Sequence, residues 1–269
     1  MSDALTADRL DELAASVRTI AGRAGQATLV YYEDVEGMGV TEKSDDSPLT
    51  RADLAADRII TQALQAETPD IPVVSEESVE QEGAPAVGRL FWLVDPLDGT
   101  KEFIQQNGEF TVNIALVADG EPVLGIVHAP ALARTWLGAR VPGGEAHAVR
   151  ISDGEDPAEI ATRDAPADGL TVVASRRHGD PDQLAPYLHG HGVAETRNAG
   201  SSLKFCVLAS GEADLYPRFG RTMEWDTAAG HAVLAAAGGR VETLDGAPLT
   251  YGKEAFANPQ FVAYSHGVA

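Results

Sequence analysis

Leu10, Leu13, Val17, Ile20 and Ala24 recur at steps of three and four with Asp, Glu and Arg between them, which predicts an amphipathic helix from residue 5 to about residue 32. Gly37-Met38-Gly39 breaks the pattern, a short strand follows at 40–43, and Asp45-Asp46-Ser47-Pro48 reads as a turn. A second helix opens at Thr50-Arg51-Ala52-Asp53, with Thr50 as N-cap, Asp53 three residues on, and Ala56, Ile60, Ala63 and Leu64 as its apolar stripe. Strands are predicted at 71–75, ending in Glu76-Glu77, and at 90–94, where Pro96, having no N–H for a ladder, stops the run. Alternation at 110–117, a turn at 118–122, and strands at 123–128 and 133–139 give a meander, so the first half reads as two helices against an antiparallel sheet.

Residues 140–169 are rich in Gly, Pro and Asp and mark a boundary between an α+β domain over 1–150 and an α/β domain over 165–269. The second half alternates. Strands are expected at 170–174, 213–216, 240–244 and 261–264, and helices at 181–188, 201–210 and 226–237, the last two ended by Gly211 and Gly238-Gly239.

The candidate chemistry sits where apolar runs end in acids. In Trp92-Leu93-Val94-Asp95-Pro96-Leu97-Asp98-Gly99-Thr100-Lys101-Glu102-Phe103 two carboxylates leave one strand end. Two bare carboxylates about 5 Å apart repel by about 3 kcal/mol at an effective dielectric near 20, a cost that a hard cation with oxygen ligands removes. Asp-Pro and Asp-Gly are also ordinary turn dipeptides, so the dipeptides alone leave a plain turn open. Glu76-Glu77 admits a solvent-facing pair, since alternation turns only one inward; Glu77 is assigned to solvent. Asp226 admits an N-cap before an Ala-rich helix, and Asp53 a capping box. His128, in a strand beside Pro130, reads as structural.

Asp-Pro-Leu-Asp-Gly-Thr, with Trp-Leu-Val before it and Lys-Glu-Phe after it, resembles the metal-binding signature of the lithium-sensitive, inositol-monophosphatase-like phosphatases. Its Gly-Thr-Lys-Glu-Phe extension is similar to the branch that hydrolyses 3′(2′),5′-bisphosphate nucleotides, the CysQ type. Ser-Pro-Leu-Thr-Arg-Ala-Asp, Ser-Glu-Glu and Trp-Asp before a small-residue helix add to the resemblance, which covers most of the chain. It implies a five-layered αβαβα sandwich with the site between the halves. It also implies Mg²⁺, two or three ions per site, held by Glu76, Asp95, the carbonyl of Leu97, Asp98 and Asp226, with Asp53 as a second-tier or third-ion ligand. Glu76 and Thr100, with Asp53, would orient and deprotonate a water for in-line attack on a phosphomonoester. Asp98, Gly99, Thr100 and Asp226 would surround the transferring phosphate, His178, Ser201, Lys204 and Arg218 would meet a second one, and Lys101, beside the cluster, would touch either. The implied reaction is hydrolysis of adenosine 3′,5′-bisphosphate to AMP and phosphate in recycling sulfur-assimilation nucleotides, with inhibition by lithium.

The ligand set holds no Cys or His, which favours Mg²⁺ or Mn²⁺ over zinc. No Gly-x-Ser-x-Gly elbow or P-loop occurs, and Asp-x-x-Asp is not the Asp-x-Asp of enzymes that form an aspartyl-phosphate. A formal net charge of −21 argues against nucleic-acid coating and membrane-surface binding. It also requires bound cations to invert the field wherever a phosphate ester is held. The single cysteine, Cys206, lies in an apolar run and excludes an intrachain disulfide. With no signal peptide and no long apolar segment, a cytoplasmic monomer or homodimer is expected, acting on a small phosphorylated nucleotide, with loose membrane association left open. Two other readings stand beside this one: an inositol monophosphate or fructose 1,6-bisphosphate phosphatase, and a non-catalytic protein that binds divalent cations or phosphate.

Overall fold

The computed structural model describes residues 5–34, 37–43, 48–141, 144–175 and 181–268. The first helix, α1 (Ala7–Tyr32), is capped by Thr6 and buries the predicted stripe from Leu10 to Ala24. β1 (Thr41–Glu42) pairs with β2 (Pro48–Leu49), and most of the turn expected between them lies outside the described residues. α2 (Arg51–Glu67) starts with the predicted capping box: the N–H of Thr50 donates to Asp53 Oδ2 at 2.9 Å. α1 and α2 pack together on one face of a seven-stranded sheet.

That sheet runs in chain order: β3 (Val73–Ser75), β4 (Leu90–Asp98), β5 (Thr111–Ala118), β6 (Glu121–Ala129), β7 (Arg134–Arg140), β8 (Ala146–Ser152) and β9 (Ala158–Glu159). It is antiparallel except for β3, which lies parallel to β4 because α3 (Glu76–Glu82) carries the chain back between them. α3 was not foreseen; Ser75 caps it by accepting from the N–H of Ser78 at 3.1 Å. β8 and β9 fall within the stretch expected to be irregular, and continue the first sheet to Glu159.

Pro96 does not end β4. Asp95 pairs with Asn113 and Asp98 with Thr111, three steps on one strand against two on the other, so an extra residue is absorbed at Pro96-Leu97. This is a β-bulge, where a missing N–H breaks no ladder bond. After it, Gly99, at φ 90°, turns the chain into α4 (Thr100–Ile104).

The second sheet has the order β11-β10-β12-β14-β13, from β10 (Leu170–Ala174), β11 (Val193–Asn198), β12 (Leu215–Arg218), β13 (Arg240–Thr243) and β14 (Phe261–Tyr264). β10 is parallel to β11 and β12, and β14 is antiparallel to β12 and β13. α5 (Pro181–Leu188) places Tyr187 and Leu188 on a cluster of Leu170, Val172, Leu215 and Val262. α6 (Leu203–Ala209) and α7 (Ala228–Ala236) form the middle layer: Phe205, Leu208, Val233 and Leu234 share one core with Phe91, Val127 and Trp136 of the first sheet and Tyr216 and Phe261 of the second. The five layers are α1/α2, sheet, α6/α7, sheet, α5.

α7 lies flush on the first sheet because two paired glycines leave it room. Gly125 and Gly138 face each other across β6 and β7. A Cβ on Gly138 would stand 2.5 Å from Cα of Val233, and one on Gly125 would strike the carbonyl of Ala229.

Candidate active site

The bulge in β4 decides the geometry. In a regular strand residues three apart point to opposite faces; the extra residue re-phases β4, so Asp95 and Asp98 both line one cavity of about 270 Å³. Glu76, at the start of α3, and Asp226, ahead of α7, line the same cavity. So do Leu97, Gly99, Thr100, Lys101, Ser201, Lys204 and Arg218. Asp53 does not; it is buried behind Thr100, whose hydroxyl donates to Asp53 Oδ1 at 3.4 Å. His178 lies outside the described residues.

Each acid is held differently. Asp95 Oδ1 accepts from the N–H of Leu97 at 3.1 Å. Asp98 Oδ2 faces Ser202 Oγ at 2.9 Å and Asn113 Nδ2 at 3.2 Å. Asp226 does not cap α7, which begins two residues later with Thr227 at its N-cap. Instead Asp226 Oδ2 accepts from the N–H of Met223 at 2.8 Å, folding the approach to the helix into a tight turn. That turn is braced by the buried carboxylate of Glu224, which accepts from the N–H groups of Gly252 and Lys253 at 2.7 and 2.9 Å. α6 likewise starts at Leu203, not at Ser201, which sits before it with φ 41°.

The expected role of Glu77 needs correcting. Glu77 is not a solvent residue: as the second residue of α3 it turns inward and is 1% exposed. Lys43 Nζ lies 2.6 Å from Glu77 Oε1 and 2.7 Å from Glu76 Oε1. A helix start, unlike a strand end, lets neighbouring side chains reach one point. Burial pushes the Glu77 carboxyl up to about 7 against the pull of Lys43. Burial works against the Lys43 ammonium, but Glu76 and Glu77 outweigh it and hold it above its ordinary value.

Burial, and then the charges of Glu76, Asp98 and Asp226, push the Asp95 carboxyl well up. Burial first and Asp98 second raise Asp226 to about 8. Burial raises Asp98 too, opposed by Lys204, Ser202 and Asn113. Among the described residues, no group of three or more His, Cys, Asp or Glu side chains stands ready to grip an ion. Glu76 is drawn to Lys43 and Asp226 to a backbone N–H. The donor chemistry nevertheless fits a hard divalent cation: four carboxylates line one cavity, and the charges of their neighbours raise the proton affinity of Asp95 and Asp226, which a bound cation would reverse.

Two buried cations, Lys204 and Arg218, line the same cavity as the acids. Lys204 is buried; its ammonium donates to the carbonyls of Ala199, at 3.4 Å, and Ser201, and lies 5.4 Å from the ring centre of Tyr216. Burial lowers it to about 8, against the pull of Asp98. Arg218, 8% exposed, donates through Nη2 to the carbonyl of Arg221 at 3.0 Å, and its buried Nε finds no partner among the described residues.

Sequence reasoning missed Lys43, Thr111, Asn113 and Ser202. Thr111 and Asn113 carried a signal, being polar positions inside a strand that is buried throughout. Lys43 carried a weaker one, as a lone cation among Glu42, Asp45 and Asp46.

The inositol monophosphatase family model matches residues 9–266. The chain belongs to the inositol monophosphatase family. Within it, the chain is 48% identical over 243 residues to the 3′(2′),5′-bisphosphate nucleotidase CysQ of Salmonella typhimurium, covering 90% of this chain and 95% of that protein. It is 38% identical over 255 residues to the enzyme of the same name from Buchnera aphidicola, covering 91% and 90%. The crystal structure of CysQ from Bacteroides thetaiotaomicron, described as a bacterial member of the family, superimposes with a TM-score of 0.77 at 38% identity, over 96% of this chain and 98% of that one. An inositol monophosphatase from Anabaena shares the fold, with a TM-score of 0.72 at 24% identity over 97% and 93%. The family generally uses divalent metal ions. No helix among the described residues is long and apolar enough to cross a membrane.

Proposed function

We propose that this chain is a 3′(2′),5′-bisphosphate nucleotidase, releasing phosphate from adenosine 3′,5′-bisphosphate to leave AMP, in the recycling of nucleotides from sulfur assimilation. The observation that carries this is one cavity lined both by the acids Glu76, Asp95, Asp98 and Asp226 and by the cations Lys204 and Arg218. A substrate with one phosphate needs only the acids. A second phosphate gives the buried cations a partner, and relatives 48% identical carry the corresponding name.

Glu76, Asp95, Asp98, Asp226 and the carbonyl of Leu97 would hold two or three Mg²⁺ ions. Bound there, such ions would supply positive charge to offset that of the phosphate and would make a water more acidic. The protein's own groups do the rest. The Thr100 hydroxyl, donating to Asp53, keeps its lone pairs for a hydrogen of the attacking water. Asp53 suits that part: burial raises it to about 6, against the bonds from Thr50, so it is an anion at neutral pH yet a better acceptor than an exposed aspartate. Glu76, its side chain 27% exposed, is open to solvent at the cavity and is placed to take the water's proton.

Gly99 turns the backbone beneath the transferring phosphate, with Lys101 at its rim. Arg218 offers Nε, and Lys204 the ammonium hydrogen not spent on carbonyls, to the second phosphate, with Ser201 beside them. In this reading the site lies at the seam of two units, the first running past the expected 150 through β9 to Glu159 and the second over 165–269, and the protein works in the cytoplasm as a monomer or homodimer.

The test is phosphate release at fixed Mg²⁺ from adenosine 3′,5′-bisphosphate, inositol 1-phosphate and fructose 1,6-bisphosphate. The nucleotide should lead in kcat/KM by at least about tenfold, the worth of one well-placed charged contact. Equal or faster turnover of the sugar phosphates would retire the proposal. Binding without phosphate release would favour a non-catalytic role.

A further inference from the structure

Glu109, Thr111 and Asn113, the last two in β5, meet three consecutive residues of the loop before α6. Glu109, just ahead of β5, accepts from the N–H of Gly200 through Oε2 at 2.8 Å. Thr111 Oγ1 donates to Ser201 Oγ at 3.3 Å, and Asn113 Nδ2 donates to Ser202 Oγ at 2.9 Å. Side chains two apart share a strand face, so one face of β5 sets Ser201 and Ser202, while Glu109, ahead of the strand, sets Gly200.

The loop needs such a hold. Ser201 has φ 41°, in the left-handed region that a residue with a side chain occupies only when its surroundings fix it. Packing leaves it no slack. A Cβ on Gly200 would stand 2.9 Å from the carbonyl of Glu109, and one on Gly99 would stand 3.3 Å from both that carbonyl and Cβ of Ser201. The backbone of Glu109 is thus wedged between the turn under the transferring phosphate and the loop bearing Ser201, while Lys204 is fastened to the carbonyls of Ala199 and Ser201 in that loop.

We propose that Glu109 is a positioning residue that sets selectivity for substrates with two phosphates, by fixing the distance between the Gly99 turn and the Ser201–Lys204 anion site. This rests on the nucleotidase reading for its substrate. It does not rest on that reading for its mechanics. Hydrolysis of a single phosphate uses the acids, Thr100 and the Gly99 turn, whereas the Glu109 carboxylate acts on Gly200. Only a substrate that must reach both the acids and the cations feels the spacing. For Gly200 the carboxylate is a hydrogen-bond acceptor, a part that an amide of the same length should also fill.

The experiment compares Glu109→Ala and Glu109→Gln on adenosine 3′,5′-bisphosphate and adenosine 3′-monophosphate, together with amide hydrogen exchange of residues 200–204 without substrate. In Glu109→Ala, KM for the bisphosphate should rise about tenfold with kcat little changed, the monophosphate should change less than about twofold, and exchange at 200–204 should quicken. Glu109→Gln should stay within about threefold of wild type on all counts. Equal loss on both substrates, or a Glu109→Gln variant as impaired as Glu109→Ala, overturns the selectivity role. Unchanged exchange in Glu109→Ala overturns the positioning. A wild-type enzyme that does not prefer the bisphosphate defeats the nucleotidase reading and the selectivity role with it, while exchange still decides whether Glu109 holds the loop.

Discussion

The ammonium of Lys43 lies 2.7 Å from a carboxylate oxygen of Glu76 and so occupies one of the acids proposed to hold magnesium. Its other partner, Glu77, is buried. Removing one member of a buried pair leaves a charge without compensation, worth about 3 kcal/mol. Lys43→Met should therefore lose about that much stability in urea unfolding at neutral pH, and Lys43→Met/Glu77→Gln should regain more than half of it. Millimolar Mg²⁺ should recover part of the single variant's loss through Glu76. A fully additive double variant would show that the pair is not coupled.

Asp98→Asn separates folding from catalysis. The amide oxygen can still face Ser202 and Asn113, so the fold should stand, and without metal it should be no less stable than wild type because a buried charge is gone. Phosphate release should fall by about 10³-fold, roughly 4 kcal/mol of transition-state stabilisation, with half-activation moved to higher Mg²⁺. Wild-type turnover would refute the assignment.

Lys204 gives a pH dependence with a fixed sign. Its ammonium is lowered to about 8 from an ordinary 10.5, so above pH 8 the free protein loses the cation that meets the second phosphate. kcat/KM for the bisphosphate should fall above that pH, approaching tenfold per unit, while Lys204→Met should be poor and flat across the same range. Stability moves the other way. The unfolded chain holds this proton up to 10.5 and the folded one only to about 8, so between them folding gains as pH rises.

His231 works at the acid end. Burial, and next the charge of Arg140, hold its imidazole down at about 3, while the ring Nδ1 lies 3.0 Å from the Tyr251 hydroxyl. A depressed imidazole contributes stability that is whole above its ordinary 6.5 and lost as pH falls toward 3. Between pH 6.5 and about pH 5 that is about 2 kcal/mol. The raised carboxylates titrate in the opposite sense, so the quantity to measure is the difference between wild type and His231→Gln in urea at the two pH values. No difference would rule out the buried neutral imidazole.

The sequence carried the layers and most of the acid positions, since long stripes such as Leu10 to Ala24 and runs such as 110–117 are dictated by burial. It misjudged the junctions, where a few hydrogen bonds outweigh propensity. Asp226 looked like a cap because Ala follows it, but Met223 offered its carboxylate an earlier N–H. Pro96 looked like a terminator because it lacks a donor, yet that lack is what a bulge accepts. Glu77 was misassigned by applying strand alternation to a helix start. Its partner Lys43 lies 34 residues away, a separation that no local pattern encodes.

The glycine pair beneath α7 reaches further than its size suggests. Asp226 rides two residues ahead of that helix, so the width of the cleft between acids of different layers is gauged by side chains that are missing from Gly125 and Gly138. A single methyl at either spot would lift the helix like a shim and carry Asp226 with it. Activity could thus be tuned from a floor that no substrate ever touches.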